Sequence, residues 1–170
     1  MWDAIATGAS AESPLWEAAL RPEREQERTS VFSSLAPAHA LGLETIYEGY
    51  LTHYGTPRLF DPVDRDSALL LGDYLYAHGL VRIAESGDVA AVADLAELIS
   101  LCAQSRAARR DGDGAAWAAT ASSLGGGRLE LARTALRERG DSSPLDAIAR
   151  AAAGDDAVDA ALAAHARFVG

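Results

Sequence analysis

Carboxylates at helical spacing are the first residues of this 170-residue chain to invite a chemical reading. Asp155-Asp156-Ala157-Val158-Asp159 spells Asp-Asp-x-x-Asp, and on a helix Asp155 and Asp159 share a face from which oxygen ligands could hold a divalent cation. The run directly follows Gly154, and acidic residues at a helix start are favoured by capping and by the macrodipole. The expectation is therefore a helix start and no metal. Asp61, Asp64 and Asp66 form a second cluster, where Pro62 and several charges precede an apolar run, again the signature of a helix start. Asp111-Gly112-Asp113-Gly114 lacks the spacing and the closing glutamate of a calcium loop and reads as a turn. The histidines, His39, His53, His78 and His165, are far apart in sequence. Only His53 and His78, near tyrosines on neighbouring helices, could form an acid/base pair, and surface or helix-end positions are the commoner fate. No Gly-x-Ser-x-Gly nucleophile motif occurs.

The tyrosines, Tyr47, Tyr50, Tyr54, Tyr74 and Tyr76, fall on two stretches expected to be adjacent helices. Each ring combines apolar area with a polar tip, so together they could line a cleft or anchor an interface, and ordinary core packing accounts for them equally well. Cys102, the single cysteine, sits in a helical apolar run and reads as a small core residue in a reducing compartment.

The elements that must position these groups are helices. No segment keeps a period of two, whereas apolar residues recur at i, i+3 and i+4 from Pro14 to Phe168, which predicts an all-α bundle of about seven helices in a single domain. Residues 1–36 form N-terminal helices: Ser13-Pro14 caps a short one that stops at Pro22, and a weaker segment spans Arg24 to Leu35. Residues 37–110 are the central part. Here Pro37 opens a helix ending near Gly55-Thr56-Pro57, and the segment Ala68 to Ala84 is apolar nearly all round, so it is expected at the centre of the bundle. Val89 to Arg109 follows as a long amphipathic helix. Residues 115–169 are short, alanine-rich helices interrupted by Gly125-Gly126-Gly127, which reads as a flexible link, since no strand precedes it and no Gly-Lys-Ser/Thr follows.

Composition narrows the function. The formal charge of −10 repels phosphate backbones and acidic lipid, which argues against nucleic acid as a partner. No apolar stretch approaches membrane-spanning length and the start lacks the pattern of a signal peptide, so the expected location is cytoplasmic. Every basic side chain is arginine and alanine is roughly a fifth of the chain, a pattern expected of a GC-rich bacterial genome.

The stretch Ala68-Leu69-Leu70-Leu71-Gly72-Asp73-Tyr74-Leu75-Tyr76-Ala77-His78-Gly79-Leu80, with the helix Ala93 to Ile99 after it, resembles the trans-polyprenyl diphosphate synthases, in which a Gly-Asp-aromatic-Leu element sits on a central helix. Ala116 to Gly125 and Ala161 to Val169 are more weakly similar to later helices of that family. The resemblance implies an isoprenoid-synthase-like fold in truncated form, about half the length of a catalytic member, with Gly72, Asp73 and Tyr74 on its central helix. It also implies a metal site on the preceding helix, built from Asp-Asp-x-x-Asp. Leu43 to Tyr54 contains no aspartate, and the family's lysines are missing, so the implied site has been lost. The implied role is a non-catalytic accessory or regulatory subunit that pairs with itself or with another helical protein, Tyr47, Tyr50, Tyr54 and Tyr76 being candidate interface or cleft residues. No cofactor is expected, Mg²⁺ entering only if prenyl diphosphate binding is retained. The alternatives are an accessory module of another complex, or a prenyltransferase with an unconventional site. Asp73, inside an otherwise apolar helix, must be hydrogen-bonded or paired if buried, and an arginine such as Arg58, Arg82 or Arg106 could reach it, a structural role favoured over a catalytic one.

Overall fold

The computed structural model describes residues 1–169, and its regular structure is helical. Nine α-helices occur among the described residues: α1 (Trp2–Glu12), α2 (Pro14–Ala18), α3 (Ala40–Tyr54), α4 (Arg65–Ala84), α5 (Val89–Ala107), α6 (Asp113–Ser122), α7 (Glu130–Arg139), α8 (Ser143–Ala153) and α9 (Asp155–Val169). The all-α expectation holds, with more helices than the seven anticipated. One addition is α1, whose buried Ile5 and Ala9 lie one turn apart but are flanked by small residues that blur the pattern. The segment from Arg24 to Leu35, expected to be a weak helix, contains only two 3₁₀ turns, Glu23–Glu25 and Ser33–Leu35.

Local signals explain most boundaries. Ser13 caps α2 by accepting from Leu15 N at 3.1 Å, with Pro14 in the first helical position. Asp64 caps α4 by accepting from Ser67 N at 2.7 Å, and Asp88 caps α5 by accepting from Ala91 N at 2.9 Å. Gly140, at φ 71°, ends α7 in the left-handed region that favours glycine.

The central helix is α3, which corrects the sequence-based expectation for α4. Every residue of α3 from Gly42 to Thr52 is buried, whereas α4 buries only Leu71, Gly72, Leu75, Gly79 and Ile83. Leu69, Leu70 and Val81 of α4 are 44%, 58% and 54% exposed. Apolarity all round did not imply burial all round: α4 packs on α3, with α1, α2 and α5 along its flanks, and the remaining face is left uncovered. The two helices run antiparallel at close approach. A Cβ on Gly79 would overlap Ile46 Cγ1 and come within 2.9 Å of Gly42 O, and one on Gly49 would come within 2.9 Å of Gly72 O. Glycines seven residues apart on each helix thus let the backbones meet.

A large apolar cluster joins α3, the C-terminal half of α4 and α5–α9; a smaller one places Ile5, Trp16, Leu59 and Phe60 against Leu71 and Leu75 of α4. Cys102 is buried in the large cluster, as expected, and burial pushes its thiol pKa well up.

Candidate functional site

Two buried polar assemblies lie along α3. The first uses Glu44 and Glu48, one turn apart, together with Arg58 from the segment that follows the helix; all three side chains are fully buried. Arg58 donates from Nη1 to Glu44 Oε2 at 2.6 Å and from Nε to Glu48 Oε2 at 2.9 Å. The second oxygens are occupied too. Glu44 Oε1 accepts from Val31 N at 3.0 Å and Ser33 N at 3.1 Å, and Glu48 Oε1 accepts from Arg58 N at 2.8 Å and Leu59 N at 2.7 Å. The guanidinium also lies 4.7 Å from the Trp2 ring centre and 4.9 Å from that of Tyr47. Burial alone lowers the Arg58 pKa, but the two carboxylates outweigh it and raise it. The triad stitches two irregular segments to α3, and each carboxylate oxygen is engaged within the chain.

The second assembly joins four helices. Tyr47 OH lies 2.9 Å from Nδ1 of His165 on α9, and His165 Nε2 lies 3.7 Å from Oδ1 of Asp113, the first residue of α6. Tyr50 OH donates to Asp113 Oδ2 and accepts from Arg106 Nη2 of α5 at 2.7 Å, while Arg106 also pairs with Asp113. Burial would raise the Asp113 pKa, but His165, the Tyr50 hydroxyl and Arg106 prevail and hold it far below the ordinary carboxylate range. Burial pushes the phenols of Tyr47, Tyr50 and Tyr76 well above theirs, so they stay protonated donors at neutral pH. Phe32 and Trp117 pack against this network, their rings stacked at 5.6 Å, and Trp117 meets Tyr47 edge-on at 5.0 Å. Aromatic rings fill the space between α3, α6 and α9.

These positions change several expectations. Tyr47 and Tyr50 are both 0% exposed and cannot be interface residues; their rings are core because α6 and α9 close over that face of α3. Tyr54 and Tyr76 are partly buried beside His53, with ring centres 5.5 and 5.1 Å away. Tyr74 is half-buried against Trp16 and donates to Gly8 O at 3.2 Å. Asp73 is not buried with an arginine: its side chain is 75% exposed, and His53 Nε2 stands 3.2 Å from its Oδ1. The expected partners are engaged elsewhere, Arg58 with Glu44 and Glu48, Arg106 with Asp113, and Arg82 with Thr45 Oγ1 at 2.7 Å. Gly72 gives His53 its room, since a Cβ there would overlap the imidazole. Burial lowers the His53 pKa and Asp73 offsets part of that. His78 stacks on Tyr74 at 5.3 Å, so it and His53 pack on different neighbours.

The aspartate clusters are helix starts. Asp155 and Asp159, 75% and 65% exposed, both face Arg150, at 3.4 and 2.8 Å, and Arg150 also pairs with Asp146 at 2.8 Å. Asp156 lies in the first turn of α9, Asp61 faces Arg21 at 3.6 Å, and Asp66 lies in the first turn of α4. Asp113 belongs to the buried network and not to a turn. Among the described residues no group of three or more His, Cys, Asp or Glu side chains is arranged to hold a metal ion, and no helix is long and apolar enough to cross a membrane.

Sequence reasoning missed Glu44, Glu48 and Trp117, and offered Arg58 and Arg106 only as partners for Asp73. The legible signal was two glutamates at i, i+4 on a helix otherwise nearly free of charge, a spacing that sets both on one face and requires a cation there if that face is buried. No protein-family model, curated protein or solved structure matches this chain.

Proposed function

We propose that the protein is a non-catalytic helical subunit, of the polyprenyl diphosphate synthase type, that works by associating with another helical chain through the outward face of α4. The observation that carries this reading is the stripe Leu69, Leu70, Ala77, Val81 and Ala84, exposed along one side of a 20-residue helix. Exposed apolar surface of this kind marks an association face. Asp73 is the single charge among the exposed residues of that stripe from Leu69 to Ala84. Beyond the neighbouring His53, a carboxylate covered by a partner favours a cation opposite it, and the net charge of −10 disfavours a second copy of this chain as that partner. The fitting occupant is a partner helix with its own apolar stripe and a basic residue.

The non-catalytic part of the reading is supported by α3. Diphosphate ionisation needs carboxylates free to hold divalent cations, and the two on this helix, Glu44 and Glu48, are committed to Arg58 and to backbone N–H groups. The test is co-elution with a full-length polyprenyl synthase from the same genome, comparing the native chain with Leu70→Glu/Val81→Glu. The expected result is a complex that the double variant abolishes while its melting curve is retained. A chain that stays monomeric at roughly 100 μM and binds no such synthase would sink the reading, and a homodimer broken by the same variant would replace the proposed partner with a second copy.

A further inference from the structure

A cleft of about 560 Å³ opens between the 123–129 loop and α8, remote from α3 and from the stripe on α4; its lining includes Ser123, Leu124, Arg128, Ile148 and Ala152. Its volume falls in the range of small-molecule sites. Leu124 of the loop and Ile148, Ala151 and Ala152 of α8 make its lining largely apolar, and Arg128 and Ser123 are its basic and hydroxyl-bearing residues. Among the described residues Arg128 takes part in no ion pair or side-chain hydrogen bond, and the Ser123 hydroxyl has no partner.

The loop, read from sequence as a flexible link, adopts a defined conformation anchored at Gly125. Gly125 and Gly127 sit at φ 75° and 63°, and a Cβ on Gly126 would come within 2.8 Å of Ser123 O. Behind the loop, Asp94 of α5 accepts from Gly125 N at 3.0 Å and pairs with Arg133 of α7 at 3.0 Å, both side chains being almost fully buried. A buried ion pair with its own hydrogen bonds resists displacement, so the wall is set before any ligand arrives. No carboxylate lines the cleft: Asp94 is taken by Arg133 and Gly125 N, Asp88 caps α5 and faces His39 at 3.4 Å, and Glu130, just after the loop, faces Arg137 at 3.8 Å.

From this arrangement we propose that the cleft binds a small amphipathic anion, its carboxylate or phosphate head on Arg128 and Ser123 and its short apolar tail along Leu124, Ile148 and Ala152. A free cation at the mouth of an apolar wall, in a chain whose overall charge repels anions, selects a ligand whose tail adds to the attraction of its head. Carboxylate and phosphate heads share this chemistry, and the experiment separates them.

Calorimetric titration of the full chain with octanoate, octyl phosphate, octanol and inorganic phosphate, repeated on Arg128→Gln and Ala152→Trp, provides the test. Saturable binding of octanoate or octyl phosphate is expected, the tighter of the two identifying the head, with octanol and inorganic phosphate at least about tenfold weaker. Arg128→Gln should weaken the amphiphile about tenfold, and Ala152→Trp should remove binding by filling the cleft; both positions lie at the surface, and circular dichroism verifies the fold. No saturable binding of either amphiphile up to roughly 1 mM, binding of octanol as tight as that of the anions, or affinity unchanged in Ala152→Trp would each overturn the proposal.

Discussion

Arg58 illustrates how one residue can govern a fold. Its guanidinium is the sole cation between two buried glutamates, so removing it strands both charges. Arg58→Met should lower unfolding free energy by about 3–5 kcal/mol, read from urea denaturation. Adding Glu48→Gln to that variant should cost less than the sum of the two single changes, because the partners act as a unit. Asp113 controls the acid limb of stability. Its folded pKa lies below its unfolded value, so its contribution is fully present above the ordinary carboxylate range and is lost as pH falls toward the folded value. Asp113→Asn should be less stable at neutral pH and should flatten the acid side of a plot of melting temperature against pH. His53 carries the same sign for a different reason: burial depresses its pKa, so the folded state binds fewer protons and loses this contribution as pH drops below about 6.5. A proton NMR titration should place His53 below that value, and lower still in Asp73→Asn.

At the scale of elements, the α3–α4 pair is the joint on which the bundle depends. Helix propensity alone favours Gly→Ala by about 1 kcal/mol, but at Gly79 the added methyl meets Ile46 and the rigid carbonyl of Gly42. Overpacking costs about 1–3 kcal/mol, so Gly79→Ala should lower the melting temperature in spite of the propensity gain. An unchanged or higher melting temperature would show that the two helices slide apart without cost. Gly127→Ala, at positive φ but with open space around it, isolates backbone strain from crowding and should destabilise less than Gly79→Ala.

The whole molecule places its charge and its apolar surface unevenly. Aromatic rings and the Arg58 triad occupy the interior around α3, while Leu69, Leu70 and Val81 stand exposed together on the outer face of α4, and Val89 of α5 and Leu131 of α7 are exposed on other helices. If the interior is given over to structure in this way, the purified chain supplied with Mg²⁺, farnesyl diphosphate and isopentenyl diphosphate should form no condensation product above the blank, measured by radiolabel extraction. Product formation would mean that Glu44 or Glu48 leaves Arg58 to hold metal.

Periodicity in the sequence was enough to specify an all-α chain, because i, i+3, i+4 spacing is a local property, and the Ser13 cap was legible for the same reason. The helix starts at Asp61–Asp66 and Asp155–Asp159 followed from local electrostatics as well. What local pattern could not decide was which apolar helix would be enclosed. Residues Ala68 to Ala84 look more hydrophobic than α3, yet α3 is central, because glutamates carried into a core become tolerable once Arg58 arrives from outside the helix. Asp73 was undecided for the same reason: whether an aspartate in an apolar run is buried depends on which face of α4 its neighbours leave open. Burial and ion pairing depend on which segments meet, and only the tertiary structure determines that.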